Sequence, residues 1–177
     1  MTSNNNKTTK WTKFKIFILI ILILIAGTAL PNYFAVTTTA SLNKRIYLIK
    51  KGKQVEKLKT GDYVMFSLLK SKRGNDLPAK LVKMIEDDGE GFQIKRIGCS
   101  AGEEIKNIGN KYYCKNELIA RAKDYSLSGE KLNKFDFSGK IPEGDMFLVG
   151  DHVDSYDSRY FGFIKAKDII AMVYPLL

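Results

Sequence analysis

Lys95 is the residue whose surroundings in this sequence best suit catalytic chemistry. It lies in a short apolar stretch of β type that closes at Gly98. A lysine removes a proton from a hydroxyl only when its amine is neutral, and burial among apolar side chains lowers the lysine pKa toward that state. Ser41 follows an apolar N-terminal segment and supplies a hydroxyl. A serine nucleophile with a lysine general base is the chemistry that these two residues indicate.

A third block, residues 149–162, is rich in side chains that hydrogen-bond and carry charge. It reads VGDHVDSYDSRYFG. Together the three blocks resemble the type I signal peptidase family (peptidase S26), and more narrowly its conjugative-transfer, TraF-type members. Residues 61–64 match a Gly-Asp strand of the family, residues 95–98 its lysine block, and residues 150–162 its Gly-Asp…Ser-x-Asp-Ser-Arg block.

The resemblance implies a role for each matched residue. Lys95 is the general base and Ser41 the nucleophile, and Ser155 supports the lysine by hydrogen bonding. Asp157 and Arg159 form a structural ion pair. The full set of lysine-supporting and structural residues is Ser155, Asp157, Ser158, Arg159 and Asp151.

The segment around Ser41 departs most from the family pattern. The transfer subgroup has Ser-x-Pro-x-Gly-x-Tyr, and here Asn43 replaces the proline and Arg45 the glycine, while Tyr47 is kept. These changes affect the local turn and leave the hydroxyl in place. The alternative nucleophiles are Ser67, Ser71 and Ser100.

Two nearby polar residues have competing interpretations. Thr39 occupies a position from which the family often donates a hydrogen bond to the oxyanion, but it is also one member of a threonine run. His152, the only histidine, stands where the family usually has asparagine. We expect His152 to be a turn residue, because a metal site needs several convergent ligands. No metal or organic cofactor is expected.

The segment from residue 16 to 36 predicts a membrane anchor. Residues 16–30 read IFILIILILIAGTAL without a charge, and four lysines and Trp11 precede them. About 20 apolar residues cross a bilayer, and positive residues stay in the cytoplasm. We therefore expect a basic cytoplasmic tail at 1–15, a single span at 16–36 in the bacterial inner membrane, and a periplasmic or extracytoplasmic peptidase domain at 37–177. A cleaved secretory signal is the competing interpretation.

The net charge of +10 has several interpretations. A lysine-rich surface favours solubility, and it also attracts anionic lipid head groups or nucleic acid. The sequence has no zinc-finger spacing and no RNA-binding aromatic motif, so we expect no nucleic-acid partner. The expected partners are the lipid bilayer and a precursor with an N-terminal signal peptide.

Cys99 and Cys114 flank a turn-rich stretch, as residues on two adjacent strands would. An oxidising compartment permits a disulfide between them, and the alternative is two small buried side chains.

Short apolar runs separated by glycine predict a mainly β domain. The runs at 45–49, 63–69, 92–97 and 146–149 predict strands, and residues 103–122 predict a small hairpin. The resemblance adds a signal-peptidase-like β-barrel catalytic domain with one N-terminal transmembrane helix.

The sequence thus predicts a membrane-anchored serine endopeptidase that removes signal peptides, with pilin of a conjugative system as the expected precursor. The alternative is a catalytically inactive, signal-peptidase-like assembly factor of a conjugation or secretion apparatus. A self-cleaving repressor-type regulator is more distant, because the chain has an anchor segment and no helix-turn-helix.

Overall fold

The chain divides into two units, Met1–Ala35 and Val36–Leu177. The computed structural model describes residues 5–29, 32–39, 41–50, 52, 58–71 and 91–177. Helix α1, Asn5–Ala29, accounts for most of the first unit. None of the helices in these ranges is both long and apolar enough to cross a membrane. The anchor expected at 16–36 therefore stays a prediction.

The rest of the described chain is mainly β, as predicted. A short helix, α2, covers Ser158–Phe161, and a 3-10 turn covers Ala166–Asp168. The strands are β1 Phe34–Val36, β2 Ile46–Lys50, β3 Tyr63–Ser67, β4 Phe92–Cys99, β5 Glu104–Ile108, β6 Lys111–Cys114, β7 Glu117–Arg121, β8 Gly139–Lys140, β9 Asp145–Val149, β10 Ile164–Lys165 and β11 Ile169–Pro175.

These strands form two sheets. The larger has the order β1-β2-β11-β3-β4-β9-β10, and the smaller has the order β7-β6-β5-β8. Both orders have free ends, so the described strands do not form the closed barrel that we predicted. The physical reason is that β5, β6 and β7 pair among themselves and with β8, and thus make a sheet of their own.

Strand β9 packs on both faces, and this places the core on each side of the larger sheet. Met146 and Leu148 belong to one buried cluster, and Phe147 and Val149 belong to a second. Alternate side chains of a strand point to opposite faces, which explains the division. Burial of each such side chain contributes about 1.5–3 kcal/mol to stability. β9 is therefore firmly held where it leads into Gly150.

A disulfide between Cys99 and Cys114 joins the end of β4 to β6, with the Cα atoms 5.6 Å apart. The two residues are 15 apart in sequence. Closing a loop of this length contributes about 3 kcal/mol in the chain-entropy model. The bond therefore ties the smaller sheet to the strand that carries Lys95.

The segment predicted as a small hairpin, residues 103–122, forms three antiparallel strands, β5, β6 and β7. Gly109 turns β5 into β6, and Lys115 and Asn116, with φ of 50° and 70°, turn β6 into β7. Two consecutive residues at positive φ are typical of a two-residue hairpin turn. The helix or strand expected at 79–85 lies outside the described residues.

Candidate active site

Lys95 lies at the centre of the larger sheet. Its strand, β4, runs between β3 and β9, with Lys95 opposite Val64. Only 4% of the residue is exposed. This burial lowers the pKa of Lys95 from 10.5 to about 8, although the carboxylates of Asp157 and Asp151 oppose the change. The sheet thus holds an amine that loses its proton far more readily than an ordinary lysine.

Ser155 is the hydrogen-bond partner of this amine. Lys95 Nζ lies 2.9 Å from Ser155 Oγ, and both residues are buried. The Ser155 N–H donates to the carbonyl of His152 at 3.1 Å, and the Ser155 carbonyl accepts from Arg159 at 2.8 Å. Because both ends of its backbone are fixed, Ser155 can orient the lysine amine.

Ser41 lies in a turn that docks onto the segment after β9. Its carbonyl accepts a hydrogen bond from the N–H of His152 at 3.2 Å, and the N–H of Asn43 donates to Asp151 Oδ2 at 3.3 Å. The half-buried Ser41 has its Oγ 3.2 Å from Thr39 Oγ1. The described hydrogen bonds join Ser41 Oγ to Thr39 and Lys95 Nζ to Ser155, with none directly between Ser41 and Lys95.

Gly150 lies between Ser155, the hydrogen-bond partner of Lys95, and the turn that carries Ser41. A β-carbon at this position would lie 2.1 Å from Ser155 Oγ and 2.7 Å from the carbonyl oxygen of Ser41. Both distances are far below van der Waals contact. The missing side chain is therefore what allows the lysine's hydrogen-bond partner and the turn with the serine to approach each other.

Replacing Gly150 with alanine should lower cleavage of a signal-peptide precursor by about 10- to 100-fold, because a displacement of about 1 Å at a reacting group costs this much. The measurement is kcat of the purified variant. Gly27→Ala in α1, where the backbone is not at positive φ and a β-carbon meets nothing within 4 Å, is the control for the general cost of removing a glycine. Full activity of Gly150→Ala would show that the close approach has no part in the reaction.

Asp157 and Arg159 form a buried ion pair. Arg159 Nε lies 2.7 Å from Asp157 Oδ1, and a second guanidinium nitrogen lies 2.7 Å from Oδ2. Their side chains are 0% and 2% exposed. Burial alone would lower the pKa of Arg159, but the hydrogen bond and charge of Asp157 raise it. Asp157 also accepts from the N–H of Gly150 at 2.7 Å, so the pair holds the turn beneath the site.

Ser158 and Asp151 connect the same turn to the sheet. Ser158 Oγ accepts from the N–H of Leu148 at 2.8 Å, which fixes α2 to β9. Asp151 accepts from Arg96 Nε at 3.3 Å and from the Tyr63 hydroxyl at 3.2 Å. Burial and the Asp151 charge raise the pKa of Tyr63.

Sequence reasoning gave no role to Tyr63, Arg96 or Gly150. Tyr63 and Arg96 are opposite each other on β3 and β4, a register that the sequence alone does not reveal. Tyr47, which matched the transfer subgroup, is fully buried and donates to the carbonyl of Lys44 at 3.0 Å. It therefore supports the chain shortly after Ser41.

The three serines that were alternative nucleophiles form hydrogen bonds with residues other than Lys95. Ser71 donates to the carbonyl of Leu68 at 2.7 Å, Ser100 Oγ lies 3.1 Å from Thr60 Oγ1, and Ser67 Oγ accepts from the N–H of Lys70 at 3.3 Å.

His152 has the geometry of a turn residue. Its side chain is 50% exposed, and Nδ1 accepts from the N–H of Asp154 at 3.2 Å. The role of Thr39 as a donor to the oxyanion stays a prediction.

Comparison with known proteins identifies the family. A family model described as signal peptidase, peptidase S26, matches residues 8–176. Signal peptidase I V of Bacillus subtilis (strain 168) is 33% identical in an alignment 91 residues long that covers 45% of this chain and 54% of that protein. The chain thus spans about half the length of this curated relative.

A crystal structure of a signal peptidase I from Enterococcus faecalis V583 is also similar, at 21% identity. The match covers 66% of this chain and 97% of that one, with a TM-score of 0.38. A score this low carries no argument about the fold. The family model, by contrast, matches nearly the whole sequence, and the chain belongs to the signal peptidase family, peptidase S26.

Proposed function

We propose that this protein is a serine endopeptidase that removes signal peptides from exported precursors, with Ser41 as nucleophile and Lys95 as general base. The observation that carries the proposal is the buried Lys95 amine, whose pKa is lowered to about 8 and which is hydrogen-bonded to Ser155. The turn of Ser41 docks against the same segment of chain. Family membership supports the same chemistry.

The lowered pKa gives Lys95 a large kinetic advantage. With a pKa of about 8, roughly a tenth of the amine is neutral at pH 7, against roughly one part in three thousand for an ordinary lysine. The neutral form accepts the Ser41 proton as Oγ attacks the scissile carbonyl. The resulting ammonium then protonates the leaving amine of the mature protein, and the signal peptide stays attached to Ser41 as an ester.

Deacylation uses the same two residues. Water attacks the ester carbonyl, Lys95 accepts its proton, and the proton returns to Ser41 Oγ as the signal peptide leaves with a new carboxylate. The Ser41 N–H and the Thr39 hydroxyl are the proposed donors to the oxyanion. Thr39 Oγ1 lies 3.2 Å from Ser41 Oγ, close to the carbon under attack.

The proposed location is the bacterial inner membrane. Residues 16–36 are the proposed anchor, residues 1–15 lie in the cytoplasm, and the peptidase domain lies outside. The charge-free run of residues 16–30 and the four lysines before it support this orientation. Such an anchor would hold the peptidase at the membrane surface, where the signal peptides of exported precursors emerge.

The proposed precursor is a pilin subunit of a conjugative system. Support comes from Tyr47, which keeps its spacing from Ser41 in the transfer subgroup, and which the fold uses to support the chain near Lys44. A pilin precursor and an ordinary secretory precursor, tested side by side, distinguish this substrate from the general class.

The full-length protein in detergent micelles or liposomes should cut a signal-peptide precursor once, after a small residue. Mass spectrometry of both products identifies the cleavage site. A precursor with leucine in place of that small residue is the matched control and should remain uncut. If neither pilin nor ordinary precursors are cut, the chain is not a competent peptidase, and the assembly-factor alternative is favoured.

Cleavage should increase from pH 6 to pH 9, with a midpoint near pH 8. Activity should rise with pH because the active form of Lys95 is the neutral amine, and the midpoint follows from the Lys95 pKa of about 8. Measuring kcat/KM from pH 6 to pH 11 tests it, with circular dichroism at each pH to show that the fold is retained. A midpoint above pH 10 would mean an ordinary exposed lysine, and a decrease with pH would exclude an amine base.

A further inference from the structure

A cleft of about 380 Å³ opens beside the Ser41 turn. It is lined by residues 118–121 of β7, by residues 150–153, and by Asn43, two residues after Ser41. Gly150 belongs both to this cleft and to the junction of Ser41 with Ser155. The cleft therefore adjoins the candidate active site.

Strand β7 presents a free edge to this cleft. Among the described strands it is the outermost one of the smaller sheet, and there it pairs with β6 alone. Ile119 anchors it, since a β-carbon at Gly98 would lie 3.2 Å from Ile119 Cδ1. Arg159 donates to the carbonyl of Arg121 at the end of the strand, so this one acceptor is already occupied. An exposed strand edge is a template on which an extended peptide can add a further strand.

The charges around the cleft are paired except for one. Arg96 is bonded to Asp151 and Arg159 to Asp157. The exposed Arg121 also lines the cleft, and no carboxylate among the described residues lies within ion-pair distance of it. A peptide in the cleft therefore meets a net positive charge at Arg121.

We propose that this cleft binds the precursor segment that follows the scissile bond, extended along β7, and that Arg121 selects precursors with an acidic residue there. The inference rests on the proposed peptidase function. The cleft is lined by apolar side chains such as Leu118 and Ile119 as well as by the cation of Arg121. The segment before the cut carries small and apolar residues and offers Arg121 no carboxylate, whereas an acidic residue after the cut offers one.

The test uses two series of precursors that differ only by aspartate or lysine at single positions from the second to the sixth residue after the cut. At low ionic strength the full-length protein should cleave the best aspartate precursor about 2- to 5-fold more efficiently than its lysine counterpart, with the difference in KM. The effect should recur at every second position, the period of a β-strand, and should fade in 0.5 M salt.

Arg121→Glu should reverse the preference, and Arg121→Lys should keep it. Lys140→Glu, an equal charge change on β8 at the opposite edge of the same sheet, should leave it unchanged. The inference is overturned if the wild type cleaves both series equally, or if Lys140→Glu has the same effect as Arg121→Glu. Cleavage of neither series overturns the proposed function as well, so the two failures are distinguishable.

Discussion

Replacing Lys95 with methionine should lower precursor cleavage by about four to six orders of magnitude, and Ser41→Ala should do the same. Methionine fills most of the space of the lysine side chain but cannot accept a proton. The two residues act as one unit in the proposed mechanism, so the double variant should be no slower than either single variant. Single-turnover cleavage of a fluorescent precursor has the dynamic range to show this.

The thermal midpoint distinguishes a variant that has lost only its catalytic group from one that has lost its fold. The thermal midpoint of Lys95→Met should not fall, because burial in this sheet disfavours the ammonium that the variant removes. Lys167→Met and Ser128→Ala, both at exposed positions, are the matched controls and should retain full activity. An inactive Lys95→Met together with an active Ser41→Ala would mean that another serine is the nucleophile.

Arg159→Met should destabilise the protein by about 3–5 kcal/mol, because it leaves the Asp157 carboxylate buried without its partner. The variant also removes the donors to the carbonyls of Ser155 and His152. In a domain of this size the thermal midpoint should fall by roughly 10–20 °C. Denaturant unfolding followed by circular dichroism measures the loss of stability.

A double-mutant cycle with Asp157→Asn isolates the ion pair. The combined variant should be less destabilised than the sum of the two single variants, since the uncompensated charge is gone. Lys134→Met removes a more exposed pair with Asp124 and should change the midpoint little. If Arg159→Met lowers the thermal midpoint as little as Lys134→Met does, the buried ion pair does not hold the turn.

The parts of the site that the sequence could predict are those carried by short motifs. Lys95 on an apolar strand and the run from Gly150 to Arg159 are local patterns, and the structure brings them together through Ser155. The roles of Ser41 and Lys95 in catalysis stay predictions, because the geometry does not include a direct bond between them.

The remaining contacts depend on tertiary register. The bonds of Asp151 to Arg96, Tyr63 and the Asn43 N–H join three separate segments. Asn43 entered the sequence argument only as a missing proline, yet its N–H is a donor that proline lacks. The two open sheets were missed for a similar reason, since strand runs do not show which strands pair.

The order of the larger sheet also bears on when the candidate active site assembles. Strand β11 lies between β2 and β3, so the first strands of the chain are joined by one that is made about 100 residues later. The contact of Asn43 with Asp151 spans 108 residues. Contacts of such separation form slowly. A partly made chain therefore lacks the contacts of the candidate active site, which assemble only once the residues of β9 to β11 are available.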